Sequence, residues 1–201
     1  PNLINAVIAI EDSRFYSHPG IDLKGILRAI YVNILSGRYK QGGSTITQQL
    51  AKLIFLNSEK SILRKIKELF ITLKLEAILE KDEIIALYLN RAYFGSGNYG
   101  ISSATDSYFK KKPKELSIYE SAILAAALKS PTRLNILSSP EKTKKRASIV
   151  LKRMLNLNLI NKSAFIKANS NLEKLLINKS FTDESRYFTD WILRRTSKNY
   201  N

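Results

Sequence analysis

Apolar residues in this chain return every three or four positions, segment after segment, and hardly ever in the strict alternation of a half-buried strand. A chain patterned this way buries its apolar faces by packing helices on one another. Only 8 Gly and 5 Pro interrupt the 201 residues. Leu3 to about Arg14 reads as a first helix, ending at a loop around His18-Pro19-Gly20. Asp22 is placed to cap Leu23–Leu35, with Gly37 just past the end. Gly42-Gly43 breaks the chain, and Thr45 with Gln48 makes a capping box for Ile46–Leu56. Ser61 caps a long helix to about Glu80, and Asp82 a shorter one through Leu89. Tyr93 to Gly100 is a loop. Ser117 and Glu120 repeat the capping box before a helix to Leu128, and Pro140 opens another to about Leu155. Beyond Asn156 the chain turns Asn-, Lys- and Ser-rich, which predicts a looser stretch before a last helix at Tyr187–Arg195. The predicted fold class is mostly α.

Composition then removes whole classes of chemistry. With no Cys and one His, disulfides, thiolate zinc sites and a Cys nucleophile are excluded, and so are most His-built metal sites. No apolar run reaches the roughly 18 residues of a membrane-spanning helix. Lys and Arg number 33 against 17 Asp and Glu, a net charge of +16, which points to an anionic partner: nucleic acid, lipid headgroups or a phosphorylated substrate.

Two helices carry stripes that suit such a partner. At 100° per residue, Thr45, Gln48, Gln49 and Lys52 fall within about 100° of one another, starting at a Gly-rich helix N-terminus that favours anions. Lys60, Arg64, Lys67 and Glu68 share a similar arc on the next helix, opposite Ile62, Ile66, Leu69 and Leu73. Each stripe is either a polar face turned to water or a substrate-binding edge, and angle alone leaves both open. Glu11 and Asp12 end an apolar run; adjacent residues do not share a helix face, so the two carboxylates should meet different neighbours. Glu11 is then either an exposed helix-end acid or a desolvated carboxylate in general-base range. His18 is either a loop-fixing hydrogen-bonder or a catalyst.

Taken in order, these segments resemble the five motifs of the bacterial peptidoglycan glycosyltransferases, the domains shared by class A penicillin-binding proteins and monofunctional transglycosylases. Glu11-Asp12-Ser13-Arg14-Phe15-Tyr16-Ser17-His18-Pro19-Gly20 resembles the first, and Gly43-Ser44-Thr45-Ile46-Thr47-Gln48-Gln49 the second. Arg64-Lys65-Ile66-Lys67-Glu68 resembles the third, Lys81 to Asn90 the fourth, and Tyr93-Phe94-Gly95-Ser96-Gly97-Asn98-Tyr99-Gly100 the fifth. The pattern departs at Lys60, where Arg is usual, and at Asn135-Ile136-Leu137, where an Asn-Pro step is usual.

The resemblance implies a lysozyme-like helical domain over residues 1–157, with a smaller hydrophobic, membrane-associated jaw lobe at about 23–42. Residues 158–201 would lead toward a transpeptidase domain, and a spanning helix would lie upstream. It implies polymerisation of lipid II into glycan strands, with inversion at the donor MurNAc anomeric carbon and release of undecaprenyl pyrophosphate, at the outer face of the cytoplasmic membrane. By position, Glu11 and Glu68 are the expected catalytic carboxylates, Glu11 as base and Glu68 near the donor pyrophosphate. Asp12, His18, Arg28, Ser44, Thr45, Gln48, Gln49, Lys52, Lys60, Arg64 and Lys67 are the expected substrate-binding or cleft-shaping residues. The motifs require no cofactor and supply no metal-ligand set, although a divalent cation (Mg or Mn) at the pyrophosphate is compatible with them. Expected partners are lipid II, the growing strand and the membrane surface, and not nucleic acid, since no recognition module is present. Two rival readings are a glycan-cleaving enzyme, which needs no ladder of cations, and a basic helical nucleic-acid binder.

Overall fold

The structure, a computed structural model, describes residues 1–37, 42–56 and 61–175. Among them are nine α-helices: α1 (Asn2–Glu11), α2 (Leu23–Ser36), α3 (Ile46–Phe55), α4 (Ile62–Ile78), α5 (Lys81–Arg91), α6 (Ile101–Phe109), α7 (Ile118–Leu128), α8 (Pro140–Asn156) and α9 (Lys162–Lys174). The described residues form no strand, only a single bridge between Tyr93 and Tyr99. The mostly helical fold is as the sequence predicts. Glu11–Arg91 form one compact unit, and Pro1–Ile10 with the described residues from Ala92 onward form a second.

The Glu11–Arg91 unit is organised by α3, which lies against both α4 and α5. Ile46, Leu50 and Ala51 of α3 and Ile84, Ile85, Tyr88 and Leu89 of α5 are buried. Burying each of the larger side chains contributes about 1.5–3 kcal/mol, which holds α3 in place. Its start is fixed by the capping box: Thr45 Oγ1 accepts from Gln48 N at 3.2 Å, and Gln48 Oε1 accepts from Thr45 N at 3.0 Å. Asp22 caps α2 by accepting from Gly25 N at 2.8 Å, and Gly37 ends that helix in the left-handed region at φ 60°.

Three expectations change. The first helix stops at Glu11 rather than Arg14, because Asp12 turns inward and the chain enters a short 3-10 turn at Phe15–Ser17 that buries Phe15. The fifth helix begins at Lys81, so Asp82 lies in its first turn and does not precede it. The largest change is in α4, where Glu68 and Thr72 face inward while Ile62, Leu63, Ile66, Phe70 and Leu73 are exposed, Ile62 at 82%. The apolar stripe expected to be core is the outer face of α4. On α2, in the expected jaw region, Leu23, Leu27, Ile30, Tyr31, Ile34 and Leu35 are all exposed as well, with Ile34 at 74%. Residues 38–41, at the end of the expected jaw region, lie outside the described residues. No helix among the described residues is long and apolar enough to cross a membrane.

In the second unit α7, α8 and α9 pack on one another. Every residue of α7 from Glu120 to Ala127 is buried, and α8 turns Ala147, Val150, Leu151 and Met154 inward. The Asn-rich stretch expected to be loose instead forms α9, capped by Asn161 accepting from Ala164 N at 2.8 Å and seated through Ala168 and Leu172. The helix expected at Tyr187–Arg195 lies outside the described residues. The loop Tyr93–Gly100 requires glycine at 95, where φ is +93° and an added Cβ would stand 2.2 Å from the Pro131 carbonyl oxygen. Asn135, at the departure from the family pattern, meets that loop by accepting from Ser96 Oγ at 3.4 Å, and it is itself held by Nδ2 donating to Pro131 O and Oδ1 accepting from Ser138 N, both at 2.8 Å.

Candidate active site

The candidate site lies within the Glu11–Arg91 unit and is strung along α3. At its first turn, the buried Asp12 carboxylate accepts from Ile46 N at 3.0 Å, placing a negative charge on the positive end of the helix. The same carboxylate accepts from His18 Nε2 at 3.0 Å. His18 Nδ1 in turn accepts from Gly20 N at 3.2 Å, so the proton of the neutral ring sits on Nε2. These bonds fix His18 in the loop. Thr45 completes the tie by donating to Gly20 O at 2.6 Å. Gly20 itself, at φ +84°, has no room for a Cβ, which would meet Glu76 and Thr72 of α4 at 2.8 Å.

One turn further along α3, Gln49 Nε2 donates to Glu11 Oε2 at 3.0 Å. Its Oε1 accepts from the Tyr88 hydroxyl of α5, also at 3.0 Å. Burial first, and then the negative charge of Glu11, push the Tyr88 phenol well above its ordinary 10.0. The neighbouring carboxylates Glu11 and Asp12 thus have separate partners, as expected, although Asp12 lies past the end of α1 rather than on another face of it.

At the other end of the site, Glu68 is only 3% exposed, yet it is a carboxylate. Arg64 Nη1 donates to its Oε2 at 2.7 Å and Lys65 Nζ pairs with its Oε1. Burying a charge at this depth requires such partners on both oxygens. Lys65 Nζ also donates to Ser44 Oγ at 3.3 Å, linking the entry of α3 to Glu68. Arg64 Nε is buried with no hydrogen-bond partner among the described residues.

A fourth network braces the loop. Thr47 donates to Glu76, which also takes a hydrogen bond from Lys81 Nζ at 2.8 Å. Lys81 Nζ further donates to His18 O at 2.7 Å and stands 4.6 Å from the centre of the Phe15 ring. Tyr16 OH donates to Asp82 at 2.7 Å, and burial with that bond pushes the phenol up to about 12.

The expected site residues therefore separate by situation. Glu11 is joined to Gln49, and Ser44, Arg64 and Glu68 are joined through Lys65 and one another. Asp12, His18, Thr45 and Gln48 are buried, with polar atoms bonded inside the protein. Arg28, Lys52 and Lys67 are exposed, and Lys60 lies outside the described residues. The stripe on α3 is not a solvated face: Thr45 and Gln48 are buried and Gln49 is partly so. Sequence reasoning missed Lys65, Tyr88, Glu76 and Lys81 as site partners. Lys65 was passed over because 100° spacing sets it off the Arg64–Glu68 edge, yet a flexible i,i+3 side chain reaches back. No group of three or more His, Asp or Glu among the described residues could hold a metal ion. Glu68 in particular carries a cation on each oxygen, a poor ligand set for a third positive ion.

The family model described as Transglycosylase matches residues 1–155. Penicillin-binding protein 1A of Vibrio cholerae is 45% identical over 168 residues, covering 84% of this chain and 20% of that protein. Penicillin-binding protein 1A of Aquifex aeolicus is 44% identical over 195 residues, covering 96% and 26%. Penicillin-binding protein 1F of Bacillus subtilis is 43% identical over 187 residues, covering 93% and 26%. The chain thus spans about a fifth to a quarter of the length of these relatives.

Proposed function

Since this chain belongs to the transglycosylase family, we propose that it is a peptidoglycan glycosyltransferase, polymerising lipid II into glycan strands for the bacterial cell wall. The observation that carries this reading is the pairing of two unlike carboxylates along one helix. Glu11 is held by a neutral amide, whereas Glu68 is saturated by two cations. A base must be able to accept a proton, and a carboxylate held by an amide can. Glu68 cannot easily take that role while Arg64 and Lys65 occupy both of its oxygens.

In this reading Glu11 takes the proton of the acceptor GlcNAc 4-hydroxyl as that oxygen attacks the donor anomeric carbon. Attack from the face opposite the diphosphate inverts the configuration, as in the two-group logic of inverting glycosidases with a sugar hydroxyl in place of water. Diphosphate is a good leaving group, so the departing side needs neutralised charge more than a strong acid. Arg64 and Lys65, oriented by Glu68, supply it. Lys52, Lys67 and Arg28 add exposed positive charge that draws the anionic donor in. No step runs through a metal ion.

The open apolar faces of α2 and α4 suit a chain working on a lipid-linked donor, with the apolar side in acyl chains and Lys24 and Arg28 at headgroup level. We place the enzyme on the outer face of the cytoplasmic membrane, anchored in a longer protein that also carries a transpeptidase domain. Incubation with lipid II tests the reading: glycan polymer with release of undecaprenyl pyrophosphate is expected. Cleavage of finished glycan without polymerisation, or tight salt-sensitive duplex binding with no lipid II turnover, would overturn it.

A further inference from the structure

We propose that Tyr88 is a positioning residue for the reaction, setting the orientation of the Gln49 amide so that its N–H, and not its carbonyl, faces Glu11. The inference rests on the reading of Glu11 as the base. A glutamine amide can be turned end for end with little change of shape, and what it presents to a neighbour depends on its partners. Here the two ends meet opposite demands. Nε2 lies 3.0 Å from Glu11 Oε2, an acceptor, and Oε1 lies 3.0 Å from the Tyr88 hydroxyl, a donor. Turned over, the amide would set its oxygen against the carboxylate oxygen, and two acceptors would share one contact.

Tyr88 is suited to enforce this choice. Its side chain is buried on α5, whose Ile84, Ile85 and Leu89 are likewise buried against solvent, so its hydroxyl has a fixed place. Its raised pKa, from burial first and the Glu11 charge second, keeps the phenol protonated at any pH where a cell wall is made. A protonated phenol is a constant donor to Oε1, whatever the charge state of its surroundings. The chain Tyr88 to Gln49 to Glu11 is therefore polarised in one direction, and each hydrogen bond strengthens the next. Its effect on the reaction is geometric: the Glu11 carboxylate is aimed before the acceptor sugar arrives, which removes one reorganisation from the transition state. The residue touches neither sugar nor diphosphate in this scheme, so substrate affinity is not its business.

The test is a double-mutant cycle on polymerisation of lipid II by this chain, using Tyr88→Phe, Gln49→Ala and the pair. Tyr88→Phe keeps the ring and removes one oxygen. We expect kcat to fall roughly 3- to 10-fold, the scale of one net hydrogen bond, with KM for lipid II within about twofold of the parent. In the Gln49→Ala background the same substitution should change kcat by less than about 1.5-fold, because the amide through which it acts is gone. A merely structural role for Tyr88 would instead lower kcat by the same factor in both backgrounds, and that result overturns the proposal. So does an unchanged kcat in Tyr88→Phe alone. All four proteins are assayed at a temperature well below the lowest of their melting points, so that a destabilised variant remains readable. Glu11→Gln, run in parallel, separates the two levels: full turnover there removes the base itself. Loss of turnover in Glu11→Gln with normal Tyr88→Phe kinetics removes only the positioning role.

Discussion

Replacing Asp12 with Asn should loosen the loop and α3 together, by an amount that follows from its contacts. The carboxylate is 6% exposed and receives two converging donors, His18 Nε2–H and Ile46 N–H, the latter at 3.0 Å. Asparagine has the same shape but one acceptor oxygen, so whichever donor keeps it, the other faces an NH2 group. Leaving one buried donor unsatisfied costs about 1–3 kcal/mol. Removing the negative charge from the N-terminus of α3 costs about 0.3–1 kcal/mol more. The sum centres on about 2–3 kcal/mol, and for a chain of this size each kcal/mol lowers the melting point by about 2–4 °C. Thermal unfolding followed by circular dichroism at neutral pH should thus show Tm falling by about 4–12 °C. Asp12→Asn melting within about 2 °C of the parent would refute the reasoning, and would mean that the carboxylate is not the tie between the His18 loop and α3.

Three further outcomes are expected. Lys65→Met removes one of the two cations on Glu68 and should lower turnover of lipid II by about 10- to 100-fold, less than a fully enclosed charge donor because Lys65 is partly exposed; steady-state kinetics against Lys67→Met, which should be milder, decides it. Burial alone would raise Glu120, but the hydrogen bonds from Lys111 and from Ser117 outweigh it and hold its carboxyl below the ordinary 4.5. A carboxyl held low in the folded state stabilises above its unfolded pKa, and that contribution fades as pH falls through the folded value; Glu120→Gln should therefore cost stability at pH 6–7 and melt more nearly like the parent as pH drops toward 3, which urea titrations at several pH values would reveal. Chelation with EDTA should leave binding of a lipid diphosphate to the purified chain unchanged, because Arg64, Lys65 and the peripheral lysines carry the charge; a large loss of affinity would assign that work to a metal ion.

Much of this molecule was legible from residue type and spacing, and the reasons differ by element. The caps at Asp22, Thr45, Ser61 and Ser117 are local chemistry, readable without a fold, and all four stand at helix starts. Glu11 and Glu68 stood out by their neighbours, but spacing left each open between a solvated acid and a site carboxylate, and their expected roles come from the resemblance. The face of α4 was not legible. Periodicity tells that Ile62, Ile66 and Leu73 share a side, but not whether that side meets core or lies open, and the inward turn of Glu68 and Thr72 comes from tertiary packing with the Gly20 loop and α3. Tyr88, Glu76 and Lys81 escaped notice for a related reason. Their partners lie five to 63 residues away in sequence, as with Lys81 and Glu76 or Lys81 and His18, and no spacing rule links them. α9 was masked by composition, because Asn and Lys on its outer face conceal the Ala168 and Leu172 that seat it.

The most direct measurement is single-turnover glycan synthesis from lipid II by the parent chain and by Glu11→Gln, with lipid II binding and the far-ultraviolet spectrum recorded on both. The account predicts that Glu11→Gln binds lipid II and keeps its helical signal, yet forms no new glycosidic bond. Bond formation at the parent rate by Glu11→Gln would contradict it, since no other group placed here takes the acceptor proton.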